Sequence, residues 1–166
     1  SATNWIQSPS YTVSATGTVT GSLQHYFNFE EGFDGGTLEY RRNGGSWTYI
    51  PSSLTGLDST QAYNDSLEGF EAFSGLFGSA GSPLLTNFEL GGVAAETFTA
   101  GDTVELRFVG YWDSSASEPD PNWVITSASV SNVNPVPEPS TLALVGMGRL
   151  AAAGMYRRRL GGRGQA

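Results

Sequence analysis

The segment Thr103–Val109 (TVELRFV) alternates between polar and apolar side chains from Thr103 to Phe108. Successive side chains of an extended chain point to opposite faces, so Val104, Leu106 and Phe108 share one face and the two charged residues share the other. This pattern predicts a strand with one face against a hydrophobic core. It also indicates that the surrounding fold is built from β-sheets.

The composition extends this prediction to most of the chain. Only 14% of the 166 residues are charged, whereas 22 are glycine and 12% are aromatic, a mixture typical of short strands joined by turns. The other segments with strand-like patterns are Tyr11–Leu23, His25–Glu30, Thr37–Arg41, Ser46–Ile50, Leu84–Leu90, Thr97–Phe98 and Trp123–Val133. Asp34-Gly35 and Asn43-Gly44 predict corners with positive φ. We expect an all-β fold, an antiparallel β-sandwich of the jelly-roll kind, over residues 1–133.

Residues 52–82 interrupt this series of strands. They are rich in serine and glycine, and their aromatic residues follow no clear period. Loops of this length are uncommon in compact domains unless they bind a ligand or carry short strands of their own. We expect a long ordered loop in this part of the chain.

Charge divides the chain into two parts. Residues 1–136 contain three arginines and fifteen acidic residues, a net charge of −12, whereas residues 137–166 have a net charge of +4. Nucleic-acid binding depends on basic side chains that neutralise phosphates, so the acidic body predicts no nucleic-acid partner. The chain has no cysteine, which excludes disulfides and thiol chemistry. Cations and neutral glycans remain as partners.

Prolines at alternate positions mark the end of the body. Pro135, Pro137 and Pro139 disfavour both a helix and the interior of a sheet, so residues 134–140 are predicted to form an extended linker. Residues 141–166 follow as a short apolar segment, expected to be helical, and an arginine-rich end. The apolar run has only 16 residues and contains Arg149, whereas a membrane span needs about 20 apolar residues. We expect only transient contact with a membrane.

The tail resembles the PEP-CTERM sorting signal, which combines a Pro-Glu-Pro motif, a short hydrophobic segment and an arginine cluster. The residues that match the motif are Pro137, Glu138 and Pro139, and those that match the cluster are Arg157, Arg158 and Arg159. The resemblance implies recognition by an exosortase, export from a Gram-negative bacterium, and delivery to the cell surface or the exopolysaccharide matrix. The arginines fit this topology because basic residues favour the cytoplasmic side of a membrane.

The body resembles the MAM-like and related jelly-roll domains of secreted bacterial proteins. The matching landmarks are Phe27–Glu30 (FNFE), Asp34–Tyr40 (DGGTLEY), Gly44–Trp47 (GGSW), Ala100–Phe108 (AGDTVELRF) and Trp123–Ile125 (WVI). The resemblance implies a non-catalytic β-sandwich used for adhesion or glycan contact, often with a structural calcium ion. The chain departs from it at Thr126, where those domains commonly carry an aspartate.

The turn after His25–Glu30 offers oxygen ligands for a cation. Calcium takes roughly six to eight oxygens, several of them from carboxylates on turns. The candidate ligands are Glu30, Glu31 and Asp34, with Asp113 or Asp120 supplied from across the sandwich. Two interpretations stay open. These residues form a structural calcium site, or they form a solvated acidic turn in which Asp34 only provides a corner with Gly35.

Trp112 is the predicted contact to a glycan. Exposed indoles stack on sugar rings, whereas buried indoles fill a core. Trp47 and Trp123 lie inside predicted strands and are expected in the core, whereas Trp112 directly precedes the predicted acidic loop 113–121.

An enzymatic function is the main alternative. Glycoside hydrolysis uses two carboxylates, and Glu39 and Glu105 both lie on predicted strands, whereas the only histidine, His25, lies in a strand without a nucleophile motif. We expect a non-catalytic sandwich for glycan or adhesive contact. The alternatives are a glycan hydrolase on the same scaffold and a self-associating structural subunit.

Overall fold

The computed structural model describes residues 1–51, 62–67, 69–90, 97–114 and 122–136. Within these ranges the regular elements are all β-strands, and their pairings are antiparallel, which confirms the predicted fold class. No helix in the described part of the chain is long and apolar enough to cross a membrane. The predicted helical tail over 141–166 lies outside the described residues.

The described strands are numbered in chain order. They are β1 (Ala2–Gln7), β2 (Tyr11–Val13), β3 (Val19–Asn28), β4 (Gly35–Arg42), β5 (Thr48–Tyr49), β6 (Asp65–Leu67), β7 (Phe70–Ala72), β8 (Leu76–Phe77), β9 (Leu84–Leu90), β10 (Thr103–Trp112), β11 (Trp123–Val130) and β12 (Val133–Pro135).

Strand β10 is the centre of the first sheet. One of its edges pairs with β4, which in turn pairs with β5. Its other edge pairs with β2 near Thr103 and with β1 from Arg107 to Trp112, and β12 extends the sheet beyond β2. The predicted alternation is confirmed, because Val104, Leu106 and Phe108 are buried against the core.

Strand β3 is the centre of the second sheet. It pairs with β11 on one side, and with β9 and then β8 on the other. The inward side chains of both sheets form one hydrophobic core. Its largest fully buried side chains are Phe27, Phe29, Phe73, Phe88 and Phe98. The two sheets therefore pack face to face as a sandwich.

The structure corrects several predicted strand boundaries. Tyr11–Leu23 is divided near Gly17, as its glycine indicated, but its second half continues into the His25 segment as the single strand β3. Thr97–Phe98 forms only one bridge, from Phe98 to Gly17. Trp123–Val133 is split at Asn132, whose φ is 59° and where the chain leaves the second sheet for the first.

The described part of residues 52–82 is not a plain loop. It contains the hairpin β6–β7, with a positive φ at Gly69, and the short strand β8. Residues 52–61 and residue 68 lie outside the described residues. The sequence does not reveal these strands, because each is only two or three residues long and therefore shows no periodic pattern.

The body ends with an edge strand. Asn134 and Pro135 belong to the predicted linker, but in the structure they pair with β2 as the end of β12. Proline is tolerated at that position because an edge strand leaves one side of its backbone without a ladder partner. Ser1–Pro135 forms one compact unit.

Candidate binding surface

The segment that joins β3 to β4 crosses between the two sheets through a tight turn. The backbone amides of Phe33 and Asp34 both donate to the carbonyl of Glu30, over 3.1 and 2.9 Å. The positive φ of this turn, 77°, is at Gly32. The predicted Asp34-Gly35 corner is therefore wrong, since Gly35 opens strand β4, whereas the Asn43-Gly44 corner is confirmed with φ of 53° and 67°.

Ser74 fixes this turn from the side of the β6–β7 hairpin. Its buried hydroxyl donates to the carbonyl of Asp34 over 2.7 Å and accepts from the amide of Gly32 over 3.1 Å. Asn64 holds Ser74 in place through two hydrogen bonds to the serine backbone, of 2.6 and 3.0 Å. The turn is a defined structural element because both of its ends are bonded to a second segment.

Three carboxylates meet where this turn approaches the end of β10. Asp34 is only 1% exposed and accepts a hydrogen bond of 2.8 Å from the backbone amide of Asp113. One carboxylate oxygen from each of Glu30, Asp34 and Asp113 lies within 4.8 Å of the others. We call these residues the carboxylate cluster. Such an arrangement can contribute oxygens to a cation.

The cluster contains three of the four residues predicted to bind calcium. Glu31, the fourth, is exposed and is not part of the group. The alternative candidate Asp120 lies outside the described residues. The spacing along the chain indicated the Glu30–Asp34 half, but only the sheet register brings Asp113 beside it, because Gly35 and Tyr111 are directly paired.

A pocket of about 160 Å³ lies at the same end of the first sheet. We call it the acidic pocket, since it includes a member of the carboxylate cluster. Its lining residues are Ser1, Ala2, Thr3, Phe33, Leu67, Phe70, Tyr111, Trp112 and Asp113. The pocket thus combines aromatic residues with a carboxylate.

A larger apolar cleft of about 340 Å³ separates β1 and β10 of the first sheet from β11 of the second. We call it the aromatic cleft. Its lining residues are Asn4, Trp5, Ile6, Phe108, Gly110, Trp112, Asn122, Trp123 and Ile125. Trp5 and Ile6 are 59% and 68% exposed, which is unusual for large apolar side chains.

Trp112, the predicted ligand contact, lines both the aromatic cleft and the acidic pocket. Its indole lies over Gly110, where an added Cβ would be only 2.3 Å from Cη2 of the ring. Any other residue at position 110 would displace the indole. The glycine therefore sets the position of Trp112.

Trp123 and His25 form a polar connection beneath the cleft. The indole N–H of Trp123 donates to Nδ1 of His25 over 3.0 Å, and Nε2 of His25 lies 2.9 Å from the hydroxyl of Thr86. The histidine is therefore neutral with its proton on Nε2. Burial lowers the pKa of His25 to about 4. The predicted core role of Trp123 is confirmed on its inner side, since it packs against the buried cluster.

The outer face of the first sheet carries the two candidate catalytic carboxylates. Glu39 pairs with Arg107 over 2.5 Å, and Glu105 pairs with Arg41. Trp47 lies beneath both guanidinium groups, 4.8 Å from that of Arg41 and 4.5 Å from that of Arg107. Trp47 is therefore not a core residue as predicted. Both glutamates are held in ion pairs.

The sequence pattern does not predict strand β1. All six of its residues are exposed, so it shows no alternation between buried and solvent-facing positions. Its only recognisable signal was the pair of large apolar residues, Trp5 and Ile6. The aromatic cleft, to which β1 contributes three of the nine lining residues, could not be predicted for this reason.

Among known families, one model matches the chain. It describes the PEP-CTERM protein-sorting motif and covers residues 135–159, which include Pro137, Glu138, Pro139 and the three consecutive arginines. The tail carries this sorting motif, as predicted, and the motif implies export to the cell surface and processing by an exosortase. The predicted motif residues lie outside the described residues.

No curated protein and no solved structure gives a significant match to the chain. The resemblance of the body to MAM-like domains stays a prediction.

Proposed function

We propose that this exported chain acts at the surface, or in the exopolysaccharide matrix, of a Gram-negative bacterium as a non-catalytic, glycan-binding β-sandwich. The sorting motif supports the location. The aromatic cleft is the single observation that carries the binding function. The proposed contact surface includes residues of β1, β10 and β11.

The chemistry of the cleft suits a sugar chain. Tryptophan rings stack on the C–H faces of sugars, and side-chain amides exchange hydrogen bonds with hydroxyl groups. The cleft combines Trp5, Trp112 and Trp123 with Asn4 and Asn122. Small-ligand sites generally consist of such an apolar lining with a few placed polar groups.

Retention on insoluble polysaccharides, followed by calorimetric titration with soluble fragments, tests this function. Trp112→Ala is expected to weaken binding about tenfold, since one stacked aromatic residue contributes on the order of 1 kcal/mol or more. Trp5→Ala is a second variant with little risk to folding, because Trp5 is largely exposed. Trp47→Ala is the matched control on the outer face.

Two outcomes would overturn the proposal. Equal losses for Trp112→Ala and Trp47→Ala would show that the cleft is not the contact surface. Release of soluble product from a polysaccharide, abolished by Glu39→Gln or Glu105→Gln, would instead establish the hydrolase alternative.

A self-associating subunit is the second candidate, and β1 is the observation that favours it. This strand is exposed along its whole length, and among the described strands it pairs only with β10. Unpaired edges are templates for pairing with another chain. Light scattering that shows assembly with rising concentration would support this candidate, and a constant monomeric mass would exclude it.

A further inference from the structure

The acidic pocket lies directly beside the aromatic cleft. The two share Trp112, which lines both of them. A chain-like molecule that occupies the cleft can therefore extend one of its groups past Trp112 into the pocket. The chemistry of the pocket decides which group that is.

Charge at this end of the sandwich is negative. The described body contains three arginines, and all of them form ion pairs with carboxylates outside the carboxylate cluster, namely Glu39, Asp102 and Glu105. The cluster at the pocket brings three further carboxylates within 4.8 Å of one another. The side chain of Asp65 adds another carboxylate near Gly32. A cationic group is the electrostatic complement of this end.

The lining of the pocket also favours a particular kind of cation. Phe33, Phe70, Tyr111 and Trp112 line the pocket together with Asp113. Aromatic rings attract organic ammonium groups through their negative faces, most strongly where the site is partly desolvated. Burial raises the pKa of Tyr111, so its phenol stays neutral. Aromatic rings beside a carboxylate therefore suit an organic ammonium group.

We infer that the acidic pocket binds the ammonium group of an amino sugar within a glycan whose neighbouring units occupy the aromatic cleft. This inference rests on the proposed function and names its substrate class as a cationic, amino-sugar-containing glycan. The pocket volume of about 160 Å³ is close to the roughly 150 Å³ of a cavity that accepts benzene. One sugar substituent or ring therefore fits.

Calorimetric titration of the full chain with two matched oligosaccharides tests this inference. Glucosamine oligomers and N-acetylglucosamine oligomers of equal length differ only at the nitrogen, which is a free, ionisable amine in the first and a neutral acetamide in the second. At a pH that protonates the amines, the glucosamine oligomer is expected to bind about tenfold more tightly, which corresponds to one desolvated cation–aromatic contact with a carboxylate nearby. This preference is expected to shrink as salt is raised.

Three variants test which residues cause the preference for the charged oligomer. Asp113→Asn keeps the shape of the side chain and is expected to remove most of the tenfold difference, and Phe33→Ala is expected to reduce it about threefold. Phe33 is 60% exposed, so its replacement carries little risk to folding. Glu89→Gln, on strand β9 of the second sheet, removes the same charge elsewhere and is expected to leave the preference unchanged.

The outcomes separate this inference from the function on which it rests. Equal affinity for both oligomers, with both lost in Trp112→Ala, would overturn the ammonium site and leave the glycan cleft intact. Binding of neither oligomer, nor of any other polysaccharide, would overturn both. Equally tight binding of lysine oligomers, with loss in Asp113→Asn, would assign the pocket to a cationic peptide and overturn the amino-sugar class.

Discussion

The aspartates at the two ends of strand β10 have different kinds of neighbours. Near Thr103, Asp102 accepts hydrogen bonds from Asn43 over 2.8 Å and from the amide of Thr99 over 2.7 Å, and it pairs with Arg42 over 2.5 Å. These partners lower the pKa of the Asp102 carboxyl, with the hydrogen bond from Asn43 as the largest cause. Beyond Trp112, Asp113 instead lies beside two other carboxylates.

This difference indicates separate roles for the two ends. Opposite charges that are hydrogen-bonded to one another fix loops and strand ends, whereas like charges brought together reduce stability. Proteins accept such a cost mainly at sites that bind a ligand. We therefore interpret the Thr103 end as structural and the Trp112 end as functional, and the following predictions test that division in order of expected effect.

The largest expected effect is a loss of stability in mild acid, because of His25 beneath the Trp112 end. Its folded-state pKa of about 4 lies below the unfolded value of 6.5. As the pH falls below 6.5, the unfolded state binds a proton that the folded state does not, so the free energy of unfolding decreases until about pH 4. The expected loss is about 3 kcal/mol, measured by urea denaturation at a series of pH values.

A variant without the histidine is the control for this prediction. His25→Gln keeps a polar side chain near Trp123 but does not titrate, and it is expected to flatten the pH dependence between pH 6.5 and 4. The Asp102 end contributes little in this window, because its carboxyl protonates at lower pH. An unchanged pH profile in His25→Gln would assign the acid sensitivity to the carboxylates instead.

The next effect compares one paired and one clustered carboxylate directly. Glu39→Gln leaves the partly buried Arg107 without its ion partner and is expected to destabilise the protein by about 2 kcal/mol. Asp113→Asn removes one charge from the carboxylate cluster and keeps the shape of the side chain, and it is expected to change stability by less than about 0.5 kcal/mol. Urea denaturation at neutral pH measures both. A larger loss for Asp113→Asn than for Glu39→Gln would reverse our interpretation of the two ends.

The sequence revealed the fold where strands have one buried and one exposed face. Thr103–Val109 is such a segment, and its predicted faces are confirmed. Strand β1 is exposed on both faces, and strands β6, β7 and β8 are too short to show a period. The hydrophobic pattern therefore does not reveal strands that are exposed on both faces or are only two or three residues long.

Only part of the site could be predicted from the sequence, for a related reason. Glu30 and Asp34 are close in sequence and were recognised as one group, whereas their contact with Asp113 depends on the pairing of β4 with β10. Trp112 was recognised from its position before acidic residues. Its neighbours in the cleft come from β1 and β11, and no local pattern connects those strands.

Calcium provides the third test, because the sequence predicted a structural calcium ion at the carboxylate cluster. If the ion binds only the folded state, free calcium at ten times its dissociation constant is expected to stabilise the protein by about 1.4 kcal/mol. EDTA should reverse the rise in melting temperature, and Asp113→Asn should abolish it. A melting temperature that responds to neither calcium nor EDTA would show that the carboxylate cluster does not bind a structural calcium ion.

The smallest expected effect comes from two turn glycines, one at each end of the first sheet. Gly32 and Gly44 have φ of 77° and 67°, and an added Cβ at either position meets no close contact. Replacing either with alanine is expected to cost about 1 kcal/mol of stability, because a left-handed backbone conformation disfavours a side chain. Melting temperatures of Gly32→Ala and Gly44→Ala should therefore fall by similar amounts.

Ligand affinity should separate these two equally destabilised variants. Gly32 belongs to the turn that positions Glu30 and Asp34, so strain there is expected to weaken binding of glucosamine oligomers about threefold. Gly44 belongs to the Asn43 corner at the Thr103 end, so its replacement is expected to leave that affinity unchanged. Because both variants lose similar stability, a difference in affinity would reflect the local geometry of the cluster. Equal affinities would indicate that the turn can deform without disturbing the acidic pocket.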